Sequence, residues 1–383
     1  MAKRARCSTS SNFSTPNWAV LDPDLLGLIL HKLVCISDYI SFNSVCKPWN
    51  SLSSTHKEKQ AWLDNKRQLP WLLRSSLNTD QNILDVKLKL YNFTGEQMSN
   101  FQIPISSNNK YSCWYGSSHG WLITAKMDSP LILLNPLSGD IIHLPPLRNR
   151  KIMKVGGVAR VILSRDPCSG SFEVLAHCSY NMVAHHKYGN KFWTYSSTKI
   201  SPAIFYHDIT FYKDRMLGVN GRGGILSIDV ENHGDESSKI KISQIELDLV
   251  AESFVDGYFV ETTNGDLLMV YRYYNYSVNK SAYEVYRLIM DSNGNLEHIP
   301  VANLGGESLF LGQRSCGMSV LASNYPGCMP NTIYCGVNFI DDLDRQLQVE
   351  VFNLENKSVA TSCFPTGCPE SSFPTWLVPT MKL

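Results

Sequence analysis

The stretch WAVLDPDLLGLILHKLVCISDYISFNSVCKPW, residues 18–49, decides how the rest of the chain is read. It opens on Asp22-Pro23-Asp24, an acidic N-cap followed by proline at the first helical position, where a missing N–H costs nothing and a fixed φ suits a helix. Leu25, Leu26, Ile29, Leu30 and Leu33 come next at i, i+1, i+4, i+5 and i+8, a wide apolar stripe at the α-helical period, with His31 and Lys32 off it. Asp38 predicts the cap of a second helix carrying Ile40, Phe42, Val45, Cys46 and Trp49, and Pro48 restarts the chain into a third short turn from Trp49 to Leu52. Three short helices cannot bury this many large side chains among themselves. Each fully buried Leu, Ile or Phe is worth about 1.5–3 kcal/mol, so part of this surface is expected to belong to another chain.

On the N-terminal side, residues 1–17 are rich in Ser, Thr and Asn without periodicity and read as a disordered arm. Residues 18–55 form the small all-α domain. Residues 56–80 read as a helical linker, with Trp62 and Leu63 its apolar pair and Leu69-Pro70-Trp71-Leu72-Leu73 expected to dock on the next domain. From residue 81 to 383 the period changes to that of β-structure. Ile83 to Tyr91, Trp121 to Ala125, Leu131 to Asn135, Val158 to Ser164, Phe172 to Ala176, Gly224 to Val230, Tyr258 to Glu261, Leu267 to Tyr273, Tyr283 to Met290 and Gln348 to Phe352 are short, apolar or alternating, and rich in Val, Ile, Tyr and Phe. Ser138-Gly139, Ser169-Gly170, Asn220-Gly221, Asn264-Gly265 and Asn293-Gly294 lie between them and tolerate the positive φ of tight hairpins. So many short strands must remove their edges, either by pairing two sheets or by closing radially. A β-propeller of six or seven blades, at roughly 40–50 residues each, fits the length; a pair of large β-sandwiches stays open on pattern alone.

Composition narrows the function classes. Lys and Arg number 35 against 34 Asp and Glu, a net charge of +1, so no bulk charge steers the chain to nucleic acid or an anionic membrane. The start of the chain has no apolar core of a secretory signal and no 18-residue apolar run suggests a membrane span, so the expected location is cytoplasm, nucleus or both. Eleven cysteines, an odd number without a Cys-x-x-Cys pair, read as small buried hydrophobes rather than a disulfide framework or zinc site, and no metal or cofactor is expected.

No residue set reads as catalytic. Gly221-Arg222-Gly223-Gly224 lies between strand candidates with no helix behind it to present amides to phosphate, and reads as a turn. Asp341-Asp342-x-Asp344 lacks the glycine and terminal Glu of a calcium loop and reads as a hairpin tip. His185 and His186 are adjacent, so their side chains diverge on a strand and do not share a metal. What remains is recognition of a protein by loops: His185, His186 and Trp193 in one, Tyr273, Tyr274 and Tyr276 in another, with stacking between blades the competing reading for the tyrosines.

The spacing of Leu21, Pro23, Leu25, Leu26, Ile29, Leu33, Asp38, Val45, Cys46, Lys47 and Trp49, with its Val-Cys-Lys-x-Trp ending, resembles the F-box, which docks on the Skp-type adaptor of cullin-RING ubiquitin ligases. Further on, Ser118-x-Gly120-Trp121-Leu122, then Leu134 to Gly139 with Leu144-Pro145-Pro146, Leu309 to Gly312 with Asn331-x-Ile333-Tyr334, and Pro374 to Pro379 keep the order of plant F-box proteins with a KIB-type domain, which they resemble. The resemblance implies a kelch-like propeller and a non-catalytic substrate receptor of an SCF ubiquitin ligase. It also implies that Leu21, Pro23, Leu25, Leu26, Ile29, Leu33, Val45, Cys46 and Trp49 meet the adaptor, that a cullin is reached through it, and that a target protein sits on the β-domain. The alternative is a ligand- or glycan-binding propeller with a vestigial F-box; a copper radical oxidase, which also uses such blades, stands third because those enzymes are exported.

Overall fold

A computed structural model describes residues 18–33, 41–53, 55, 70–77, 86–91, 97–102, 112–126, 130–136, 139–147, 158–178, 182–196, 206–231, 239–245, 254–275, 277–278, 280–290, 296–312, 315–325, 327–341, 344–363 and 375–378. The chain divides into two compact units, one within residues 1–68 and one spanning 69–382. The expected arm at 1–17 and connecting helix at 56–66 lie outside the described residues.

In the first unit, α1 (Pro23–Lys32) starts at the Asp22-Pro23 signal: the Asp22 carboxylate accepts a hydrogen bond from the Asp24 N–H at 2.8 Å, satisfying one of the unpaired donors of the first turn. Residues 41–43 are helical, and α2 (Lys47–Ser53) comes after them. Leu26 and Leu30, four apart on one line of α1, are buried together with Phe42. The Phe42 and Trp49 rings pack with centroids 4.6 Å apart, and the Trp49 indole donates to the Trp18 carbonyl at 3.0 Å.

The second unit is built of sheet modules in chain order, antiparallel within themselves except for one parallel pair in the sixth. Module I contains β1 (Trp71–Leu77), β2 (Val86–Tyr91) and β3 (Gln97–Gln102). Module II is β4 (Ser112–Ser118), β5 (Trp121–Lys126), β6 (Ile132–Leu134) and β7 (Ile141–His143). Module III is β8 (Val158–Leu163), β9 (Glu173–Cys178), β10 (Met182–Lys187) and β11 (Thr194–Tyr195). Module IV is β12 (Tyr206–Tyr212), β13 (Arg215–Asn220), β14 (Ile225–Glu231) and β15 (Lys239–Gln244). Module V is β16 (Phe254–Glu261), β17 (Leu267–Asn275), β18 (Lys280–Met290) and β19 (Leu296–Pro300). Module VI holds β20 (Glu307–Gly312), β21 (Ser315–Leu321), β22 (Thr332–Asp341), β23 (Asp344–Asn353) and β24 (Val359–Cys363) in the order β21-β20-β22-β23-β24. The last strand, β25 (Thr375–Leu377), returns to pair antiparallel with β1, so the C-terminal end of the chain completes the first module. This corrects the expected linker at 56–80: Trp71–Leu77 is a strand of the β-unit. Leu72 is apolar because it is fully buried in the same cluster as Trp376 of β25 and Phe310 of β20.

All ten stretches expected to be strands overlap strands, residues 83–85 of the first lying outside the described residues. The modules pack face to face because alternate residues of one strand serve different neighbours. On β8, Val161 and Leu163 join the cluster with module II, while Ile162 joins module IV. Phe259 of β16 faces module IV, and Tyr258 and Val260 face module VI. Leu309 and Leu311 of β20 face module V, and Phe310 faces module I.

The inner strands are tied in a ring. Ser117 Oγ on β4 donates to the Trp376 carbonyl on β25. Ser118 Oγ accepts from the Leu163 N–H of β8 at 3.1 Å. Arg160 of β8 meets Asp208 of β12 at 2.8 Å, and Asp208 accepts from the Phe259 N–H of β16 at 2.9 Å. β16 runs parallel to β21 through Val260↔Gly317, and the Trp376 indole donates to the Leu311 carbonyl of β20 at 2.7 Å, closing the circle. Strand β21 lies within this ring: Ser315 also pairs with Ser117, its carbonyl accepts from Arg160 at 2.7 Å, and Cys316 packs against the cluster between modules III and IV. Burial pushes the Asp208 carboxyl up to about 6, against the pull of Arg160 and two backbone N–H donors.

Candidate protein-docking surfaces

The helical unit sorts its apolar residues into two faces. Leu26 and Leu30 are inside, whereas Trp18, Val20, Leu25, Leu28 and Val45 are 59%, 76%, 50%, 60% and 53% exposed. Five large apolar side chains are left half or more in water within 28 residues, the kind of exposure that marks a candidate docking surface. Of the nine residues expected to meet an adaptor, Pro23, Leu25 and Val45 are exposed and Leu21, Ile29, Leu33, Cys46 and Trp49 are half-buried. Leu26 is corrected. At 2% exposure it belongs to the unit's own core, because the 100° step between successive helical residues carries it inward where Leu25 points out. Leu28, Trp18 and Val20, exposed here, were not among the expected residues, although Leu28 stands three residues from Leu25, a helical neighbour spacing visible in the sequence.

The loop residues expected on the β-unit are mostly interior. His185 and His186 lie on β10, not in a loop, and both are buried. His185 Nε2 sits 2.8 Å from Glu173 Oε2 on β9, and His186 Nδ1 sits 3.3 Å from the Phe192 carbonyl with its ring 5.1 Å from that of Trp193. Burial pushes the His186 pKa down. Trp193 is buried too, its indole donating to the Pro145 carbonyl at 2.8 Å. Tyr274 is buried on β17 under the Arg272 guanidinium, 5.8 Å from its ring. Tyr273 is half-buried and donates to Glu284 at 3.1 Å, while Tyr276 lies outside the described residues. These polar residues can be interior because they meet partners, as does the Arg272–Glu350 pair between modules V and VI, joined by two bonds of 3.0 Å. The residues that do face solvent in the first loop, Tyr188 and Phe192 at 45% and 66% exposure, went unselected.

Sheet modules, antiparallel within themselves except for the parallel β20–β22 pair, packed face to face around a ring of inner strands and closed by a C-terminal strand added to the first module, define a β-propeller. Residues 90–355 match the model of the KIB1-4 β-propeller, and the chain belongs to that family. An Arabidopsis thaliana relative, At3g25750, is 25% identical over 91% of this chain and 96% of its own length. The F-box protein At2g26160 of the same plant is 22% identical over 87% and 98%. Among solved structures, the β-propeller domain of Cps50 (Swd1) from Myceliophteria thermophila aligns over 78% of this chain and 89% of its own at 10% identity, with a TM-score of 0.40.

Proposed function

We propose that this protein is the substrate-receptor subunit of an SCF-type cullin-RING ubiquitin ligase: its helical unit binds a Skp-type adaptor, and through it a cullin, while the propeller holds a target protein. The modules I to VI are its six blades. The subunit makes and breaks no bonds; it works in the cytoplasm, the nucleus or both, and raises the local concentration of target lysines before a recruited ubiquitin-loaded enzyme. The observation that carries this reading is the split of α1 into an inward face, Leu26 and Leu30, and an outward one, Leu25 and Leu28, which continues to Trp18, Val20 and Val45. Membership of a family whose relatives include a named F-box protein supports it.

The test is co-purification of the full chain with a Skp-type adaptor, wild type beside Leu25→Asp/Leu28→Asp. The variant is expected to lose the adaptor and keep its thermal unfolding transition, since both sites already face water. Undiminished recovery of the adaptor would sink the proposal and return the vestigial-F-box reading.

A further inference from the structure

We infer that the β10–β11 loop of module III, Lys187 to Phe192, together with the neighbouring Pro146 and Leu147, is the seat of the target, and that it takes an acidic linear segment carrying an apolar anchor side chain. This deepens the receptor reading above and rests on it.

Six consecutive residues, Lys187-Tyr188-Gly189-Asn190-Lys191-Phe192, are all exposed, and two of them are aromatic. Exposed aromatics scattered singly mean little. These two are held in place. The Asn190 N–H donates to the Lys187 carbonyl at 3.0 Å, closing a turn in which Gly189 takes φ +95°, a conformation open to glycine and strained for other residues. The Tyr188 N–H donates to the Phe172 carbonyl at 2.9 Å, and the two rings stack with centroids 4.6 Å apart. Next to Phe192, Trp193 is anchored on Pro145, and His186 reaches the Phe192 carbonyl. The loop is fastened at both ends, yet the Phe192 ring stays two-thirds in water. A rigid exposed aromatic loses little entropy on binding, which is the property of an interface anchor.

The charge selects the partner. Residues 144–147 and 187–196 contain Lys187 and Lys191 and no carboxylate. The acid facing Lys187 across the ladder, Glu173, lies 2.8 Å from the His185 imidazole. In a chain of net charge +1, two exposed lysines alternating with two exposed aromatics along the loop favour a segment rich in Asp and Glu with one large apolar residue. Pro146 is exposed and Leu147 half-buried beside the Trp193 anchor, extending the apolar ground for such a residue.

The test starts from a displayed library of random 12-residue peptides selected on the full-length chain, and the dominant peptide is then synthesised with a fluorophore. Acidic sequences with one aromatic or large aliphatic residue are expected to dominate. Affinity by fluorescence anisotropy should fall about tenfold or more for Phe192→Ala, and by a similar factor for Lys187→Glu/Lys191→Glu, with the second loss shrinking in high salt. Unchanged thermal unfolding of both variants excludes a folding defect. Neutral or basic winners, no winner at all, affinity insensitive to these substitutions, or tighter binding of a labelled single-stranded oligonucleotide at the same lysines would each overturn the inference. Adaptor co-purification reads the receptor proposal separately, so peptide affinity insensitive to these substitutions, with the adaptor retained, condemns the loop alone.

Discussion

Asp208→Ala is the substitution that tests whether the propeller is held at its hub. Asp208 is 2% exposed and Arg160 4%, 2.8 Å apart, so removing the carboxylate leaves a guanidinium buried with the Ser315 carbonyl. Breaking a buried pair from one side costs about 3–5 kcal/mol. The backbone N–H groups of Ile209 and Phe259, now at 2.6 and 2.9 Å from the carboxylate, would lose their acceptor, which places the cost toward the upper end. Near 2 °C per kcal/mol for a large domain, the melting point of the β-unit should fall by about 6–10 °C. Calorimetry of the full chain reads this directly. Arg160→Met/Asp208→Leu removes both charges and should recover at least half of the loss, because apolar side chains of similar volume often replace a buried pair without penalty. A single mutant within about 0.5 kcal/mol of wild type, or a double mutant worse than the single, would refute the idea that this pair pins modules III, IV and V together.

Four further outcomes are expected. Leu26→Ala should cost about 2–5 kcal/mol of stability in the helical unit. Leu28→Ala should leave stability within about 0.5 kcal/mol yet weaken a Skp-type adaptor about 5- to 30-fold by calorimetric titration, the worth of covering the 60% of that leucine now in water. His177, which burial and the Arg160 charge push down to about 4, stays neutral in the fold while the unfolded chain takes up its proton near pH 6.5. The wild type should therefore lose stability as pH falls from 6.5 toward 4, by up to about 3 kcal/mol, and His177→Gln should flatten that part of the melting-point profile. Gly317→Ala should lower the melting point, because a Cβ there would overlap the Phe259 carbonyl oxygen and stand 2.6 Å from Val260 Cγ2, costing about 1–3 kcal/mol as β21 is forced off β16.

Legibility in the sequence tracks which signals are local. Asp22-Pro23 marks a helix start through groups two residues apart, and Asn220-Gly221 marks a hairpin whose Asn220 side chain caps the Arg222 and Gly224 N–H groups at 2.8 and 2.9 Å. Trp71–Leu77 carries no such mark: it pairs with Val86–Tyr91 on one side and, on the other, with Thr375–Leu377 some three hundred residues away. Glu307–Gly312 is buried at every position and so shows no alternation to read. Met182–Lys187 misleads for a different reason: two adjacent histidines look like solvent residues until Glu173 and the Phe192 carbonyl are seen to meet them. The docking faces share this pattern. An apolar stripe announces that a helix will bury something, but only the packing of Phe42 and Trp49 decides that Leu26 goes inward and Leu28 stays out.

The same packing limits which parts of the β-unit a partner can reach. Strand β21 lies among the inner strands, bonded to β16 and β4 and reached by Arg160 from β8, so side chains and backbone occupy the hub. Between modules the faces are filled by apolar clusters, and the buried polar groups are largely engaged with one another. A partner is left with the ends of the modules. Antiparallel connectivity sends alternate links to opposite ends, so the β8–β9 and β10–β11 links of module III lie at the same one. Arg165, exposed in the first, adds a third cation to Lys187 and Lys191 of the second, where Tyr188 and Phe192 each follow a lysine in sequence. A segment bound there would be gripped by apolar contact and oriented by charge, with nothing inside the propeller required to move.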